Sequence, residues 1–214
     1  MRELVFLVAD ATMQQVLEGF FARKQFHRSL GCGHFAVDGR LNHDVFTAAG
    51  LNDPGLFRHG HDLLRPYRGE FRHAVVMLDA DWEGSPGAAA IEHERGRRVA
   101  DVWDPENAVV IAPDPEIEAW FWLPDSPHVG EAMGYRGAKP YREVLAAAGH
   151  WPDDRPKPPR PKEALEYLHR AHGTDKSPAV RRRAAEKMSL RGCQDPAFHR
   201  LRATLRRWFP PESR

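Results

Sequence analysis

Two apolar runs in this chain stop abruptly at carboxylates. Leu4 to Ala9 reads LVFLVA and ends at Asp10; Ala74 to Leu78 reads AVVML and ends at Asp79, with Asp81 two residues on. Short continuous apolar runs bounded by polar residues are the pattern of strands buried on both faces of a mostly parallel sheet. Ala108 to Ala112 (AVVIA) predicts another such strand, and His34 to Asp38 a shorter one. Helical periodicity falls between them. Thr12 to Arg28 has helix formers and no proline, with Met13, Val16, Leu17, Phe20 and Phe21 on one stripe and Glu18 toward the surface. Further helices are predicted over 53–68, opened by Asp53-Pro54, over 86–102, from Asp114-Pro115 onward (PEIEAWFW), and over 135–148, ended by Gly149. The expected fold is therefore α/β, with a mostly parallel sheet of four to five strands flanked by helices.

Residues 151–161, WPDDRPKPPRP, hold five prolines and exclude regular helix or central strand. They divide the chain into an α/β portion over 1–150, a stiff connector over 151–161, and a helical C-terminal portion over 162–214. Three short helices are predicted there, from Lys162 to His172, from Ser177-Pro178, and from Asp195-Pro196. The last carries Phe198, Leu201, Leu205, Trp208 and Phe209 on one face, which docks it on the main domain and leaves Arg200, Arg202, Arg206 and Arg207 outward.

In open α/β sheets ligands sit beyond the carboxyl ends of the strands, which places Asp10, Asp79 and Asp81 where chemistry is expected. Residues i and i+2 of a strand project to one side, so Asp79 and Asp81 converge if the extended conformation persists that far. Carboxylates that close repel unless a cation lies between them. Mg²⁺ suits the place, taking one or two carboxylates and keeping waters and room for a phosphate. The competing account has Asp79 capping the next helix and Asp81 solvated, although Ser85-Pro86 is the better helix start. Glu116 is accounted for by the helix dipole of a first turn. Glu118 differs, because it adjoins the bulky block Trp120 to Trp122, and a buried carboxylate needs a cation or donors. Histidines 27, 34, 43, 59, 61 and 73 crowd one segment, but His59-Gly60-His61 matches no zinc spacing and a helix would point the two apart.

Charge changes the picture more than composition does. The 214 residues carry a formal net charge of only +1. Of 31 Lys+Arg and 30 Asp+Glu, residues 155–214 hold 16 and 6, a balance of +10, leaving 15 and 24, or −9, for residues 1–154. An acidic front suits a cation, and a basic tail suits a polyanion or a set of solvated helix faces. No apolar run approaches the roughly 20 residues of a membrane span, and the N-terminus lacks a signal-peptide pattern. With Cys32 and Cys193 as the only cysteines, a disulfide framework is excluded and a reducing cytoplasm is the expected setting.

Asp79-Ala80-Asp81-Trp82-Glu83-Gly84, following a hydrophobic strand, resembles the DxDxEG motif of TOPRIM domains in type IA topoisomerases. With Asp10 and Glu118, the arrangement is similar to the Mg²⁺-binding module of topoisomerases, primases and OLD-type nucleases, over roughly residues 1 to 125. PEIEAWFW and CQDPAFHRLRATL resemble small TOPRIM-like proteins once catalogued as a domain of unknown function, some of which travel with methylation-associated bacterial defence systems. The resemblance implies a Rossmann-like sheet, Asp79 and Asp81 as metal ligands, and Glu83 and Glu118 as further ligands or supporting groups. Asp10 stands where that family carries a glutamate acting as general acid or base, and is one methylene shorter, so the resemblance implies that it meets the metal through a water.

The expectation that follows is a Mg²⁺- or Mn²⁺-dependent phosphodiester hydrolase, a nuclease acting in bacterial defence on DNA in preference to RNA, with defence proteins as possible partners. A second expectation is a nucleic-acid or nucleotide-binding component that has lost turnover with the glutamate. A nucleotide-sugar transferase also places DxD after a strand, but calls for neither Asp10, the EIEAW segment nor the basic tail. An aspartyl-phosphate phosphatase would need a second aspartate at residue 12, where Thr12 stands.

Overall fold

A computed structural model describes residues 1–48, 50–122, 127–175, 177, 179–188 and 193–211, apart from the side chains of residues 127 and 128. Four strands, β1 (Arg2–Val8), β2 (Val45–Thr47), β3 (Phe71–Met77) and β4 (Ala108–Ile111), form one sheet in the order β2-β1-β3-β4. Every pairing is parallel, with Leu4 beside His73, Phe6 beside both Val45 and Val75, and Val75 beside Val109. β1 and β3 are central, and their apolar runs are buried throughout. This is the α/β, Rossmann-like architecture that the runs predict. The helix expected over 135–148 is confined to Tyr141–Ala147; the strand expected at His34 to Asp38 does not form, and the edge position goes to Val45–Thr47. Three residues are too few to show periodicity in a sequence.

The helices are α1 (Ala11–Phe21), α2 (Phe26–Leu30), α3 (Asn52–Leu64), α4 (Ala88–Ala100), α5 (Pro127–Ala132), α6 (Tyr141–Ala147), α7 (Pro161–His172), α8 (Ala179–Lys187) and α9 (Pro196–Trp208). The helix expected over 12–28 is thus broken into α1 and α2, with Gln25 between them at φ 61°. From β1 the chain crosses outward to β2, then returns past β1 to β3 and continues to β4. α1 packs beside β1 and β2, and α3 and α4 touch each other; with the right-handed crossovers that βαβ units take, this strand order assigns α1 and the α3–α4 pair to opposite faces. The direction reverses between β1 and β3, creating a crevice at their carboxyl ends. None of the described helices is long and apolar enough to cross a membrane.

The segment after the prolines is built into the same hydrophobic core as the sheet. Leu165 and Leu168 of α7, Ala184 and Ala185 of α8, and Phe198, Leu201 and Leu205 of α9 are buried with the strand residues in one cluster. α8 lies along α1 so closely that a Cβ on Gly19 would stand 2.1 Å from the Arg182 carbonyl oxygen. α9 begins as its sequence predicts, with Asp195 as N-cap accepting the Phe198 N–H and Pro196 in the first turn. Its arginines do not simply point outward. Arg200 pairs with Glu92 at 2.7 Å, Arg202 donates to the Leu30 carbonyl, and Arg207 reaches Glu106. The Ser177-Pro178 helix start falls partly outside the described residues; α8 follows it.

Candidate metal centre

Asp79 follows β3 by two residues and is almost completely buried. Its carboxylate accepts the Ile117 N–H at 2.8 Å through Oδ1, and its Oδ2 lies 3.0 Å from Lys162 Nζ. Its backbone N–H donates to Asp53 Oδ1 at 2.7 Å. So Asp79 does not cap the helix after it; that helix begins later, with Gly87 as N-cap, and the capping account is corrected. Nor do Asp79 and Asp81 converge. Parallel hydrogen bonding runs on past Met77, from the Leu78 N–H to the Ile111 carbonyl and from the Ala80 N–H to the Pro113 carbonyl at 2.8 Å, but the Ala80 N–H is shared with the Pro115 carbonyl, the Asp81 N–H goes there as well, and a turn closes from Trp82 to Ser85. Asp79 is buried while Asp81 and Glu83 are exposed, so the two aspartates do not share one site.

The partners that Asp79 does find come from the segment after β4. A full helix is expected from Pro115, but the chain makes only a short 3-10 turn, Ile117–Trp120, with Glu116 extended before it. Asp79 satisfies the Ile117 N–H from outside, and the i to i+3 bonds Glu116 to Ala119 and Glu118 to Phe121 complete the turn. Oxygens of Asp79, Glu116 and Glu118 lie within 4.8 Å of one another, the one set of this kind among the described residues. The histidine-rich segment contributes nothing to it.

Glu118 has no exposed surface and adjoins Trp120 and Trp122, both buried. Its Oε1 accepts from Arg181 Nε at 3.3 Å. Its Oε2 is buried with no hydrogen bond, since Lys162 Nζ stands 4.0 Å away. Lys162 instead spans the other two acids, 3.0 Å from Asp79 Oδ2 and 2.9 Å from Glu116 Oε2, while its backbone N–H donates to Glu116 Oε1 at 2.6 Å. Three carboxylates thus face two cations, Lys162 and Arg181.

Burial pushes the Asp79 carboxyl well above the ordinary aspartate range, against the pull of Lys162. Burial likewise raises Glu118, again opposed by Lys162. For Lys162 burial acts downward, but Asp79 and Glu118 outweigh it and hold the ammonium charged beyond the usual lysine range. Asp53 is raised by burial as well, relieved by the Asp79 N–H and aggravated by the nearby charge of Asp10. Asp10 is the N-cap of α1, its Oδ1 accepting the Met13 N–H at 2.9 Å. It therefore sits at the β1 side of the crevice, with Asp53 in electrostatic reach and outside the triad.

Of the five acids singled out in the sequence, two, Asp79 and Glu118, are brought into one site. Glu116, Asp53, Lys162 and Arg181 join them without having been expected to. Glu116 and Lys162 did carry a signal, since each opens a segment that a proline initiates, but helix-start chemistry explained both locally. Hard carboxylate oxygens at this spacing suit a divalent ion, and Glu118 Oε2 is a buried acceptor that no hydrogen-bond donor satisfies. No protein-family model, no curated protein and no solved structure matches the chain, so function must be read from this geometry.

Proposed function

We propose that the chain is a TOPRIM-like, Mg²⁺- or Mn²⁺-dependent phosphodiester hydrolase, a nuclease acting on DNA in bacterial defence, in which Asp79, Glu116 and Glu118 would hold the ion. The observation that carries this is Glu118: fully buried, one oxygen without a hydrogen bond, within reach of two more carboxylates. Further support comes from position, since the triad lies past the carboxyl ends of β3 and β4, where open parallel sheets bind their ligands. When bound, the ion would polarise a phosphoryl oxygen and lower the pKa of a coordinated water. Asp53 fixes the Asp79 backbone, and Arg181 fixes Glu118. Asp10, across the crevice, is the group proposed to orient or deprotonate the attacking water. Asp81 and Glu83 receive no ligand role in this assignment.

The test is hydrolysis of single- and double-stranded DNA and of a small aryl phosphodiester with Mn²⁺ or Mg²⁺, alongside Mn²⁺ binding by equilibrium dialysis. Glu118→Gln and Asp79→Asn, checked for folding by circular dichroism, are expected to lose both binding and turnover. Full metal-dependent hydrolysis in folded Asp79→Asn would refute the assignment. The seating of Lys162 among the acids favours a second reading, a binding component of a defence complex that does not turn over. That protein would retain DNA under Mn²⁺ without cutting it, and Asp10→Glu would be the substitution to restore cutting.

A further inference from the structure

We propose that Lys162 is a tethered cation that competes with the divalent ion for the triad, so that ion entry expels its ammonium and loosens the first turn of α7. This rests on the triad being a divalent-ion site. The Lys162 ammonium lies within hydrogen-bond distance of Asp79 Oδ2 and Glu116 Oε2, two of the three acids that would ligate the ion. A Mg²⁺ ion held at about 2.1 Å from those oxygens leaves no place for a second cation among them. The lysine has a way out: its side chain is 45% exposed, on a flexible four-carbon stem. The ion has a ligand that the lysine does not use, because Glu118 Oε2 stands 4.0 Å from Nζ.

The same residue ties this exchange to the backbone. Pro161 opens α7 and has no N–H, so the Lys162 N–H is the first donor of the helix, and Glu116 Oε1 accepts it. Glu116 thus holds the ammonium and the start of α7 together. An ion drawing on Glu116 weakens both contacts. Farther along, Leu165 and Leu168 are buried in the core, which confines the response to the first turn.

The experiment is calorimetric titration of the full chain with Mn²⁺ for wild type, Lys162→Met, Lys162→Arg and Glu118→Gln, with amide hydrogen exchange over residues 161–166 in wild type. Lys162→Met is expected to bind Mn²⁺ at least about tenfold tighter than wild type, a change of about 1.4 kcal/mol in binding free energy. Lys162→Arg should stay near wild type, Glu118→Gln should not bind, and saturating Mn²⁺ should speed exchange in the first turn of α7. Equal affinity in wild type and Lys162→Met overturns the tethered cation while leaving the ion site intact. No binding to any folded variant overturns both. If Lys162→Met does not fold, unchanged exchange in Mn²⁺-saturated wild type overturns the proposal by itself.

Discussion

The two ends of β3 are closed by the same C-terminal segment in opposite ways. At the carboxyl end, the Lys162 ammonium reaches over Asp79 and Glu116, and its side-chain contacts there are ionic. At the amino end, the His73 ring is stacked on Trp208 at 4.5 Å and meets Phe209 edge-on at 5.2 Å, while Phe209 stacks on Phe35 at 4.1 Å. The aromatic closure derives its energy from area removed from water and has no substitute in solution. An ionic closure is exchangeable, since any cation of suitable size satisfies the same carboxylates. The difference separates an end of the sheet closed by apolar area from an end closed by charges that a metal ion could take over.

The sharpest way to break the contrast is truncation at the aromatic end. Phe209→Ala should destabilise the protein by about 3 kcal/mol in urea denaturation, and Mn²⁺ should not restore it. Lys162→Met should cost about 2 kcal/mol at neutral pH, below the value for a fully buried pair because the lysine is 45% exposed. There Mn²⁺ should recover most of the loss. If Mn²⁺ rescues the first variant or fails to rescue the second, the two ends are not different in kind.

The ends should also differ in their response to pH. Burial holds the His73 ring down to about 4, below its ordinary 6.5. The unfolded chain then takes up the proton first, so stability from this group is complete above 6.5 and falls as pH drops toward 4, by up to about 1.4 kcal/mol per pH unit. At the other end Asp79 and Glu118 are raised by burial, so the folded state takes up those protons first. Their contribution rises as pH falls through the raised values toward the ordinary carboxylate range. His73→Phe should therefore remove the acid-side loss of melting temperature between pH 6.5 and 4 and expose a gain, and adding Asp79→Asn should flatten that gain. Smallest of all, Arg207→Ala breaks an exposed pair with Glu106 beside Trp208 and should shift stability by no more than about 0.5 kcal/mol, vanishing at high salt.

Charge shows why part of the site was legible and part was not. The aromatic neighbours of Glu118 announced a buried carboxylate in need of a cation, and Arg181 supplies one at 3.3 Å, with Lys162 held farther off at 4.0 Å. Which cations would come was not written locally, because Lys162 is 83 residues from Asp79. The opposite charges of residues 1–154 and 155–214 suggested an outward basic surface. In the structure much of that charge turns to the front of the chain, as Lys162 to the triad, Arg181 to Glu118, Arg182 to Glu18, Arg200 to Glu92 and Arg207 to Glu106. An ion pair needs only proximity, and sequence separation carries no record of it.

What the residues determined alone is whatever depends on near neighbours. Continuous apolar runs specified β1, β3 and β4, Asp195-Pro196 started α9, and a strand ending at Asp79 placed an acid at the carboxyl edge of a parallel sheet. Tertiary structure decided where the chain turns after Met77, and with it that Asp79 joins Glu116 and Glu118 rather than Asp81. It also brought Lys162 among them. The reason is range: periodicity and capping act within a few residues, whereas the charges that face one another across a buried site are chosen by packing of the whole core.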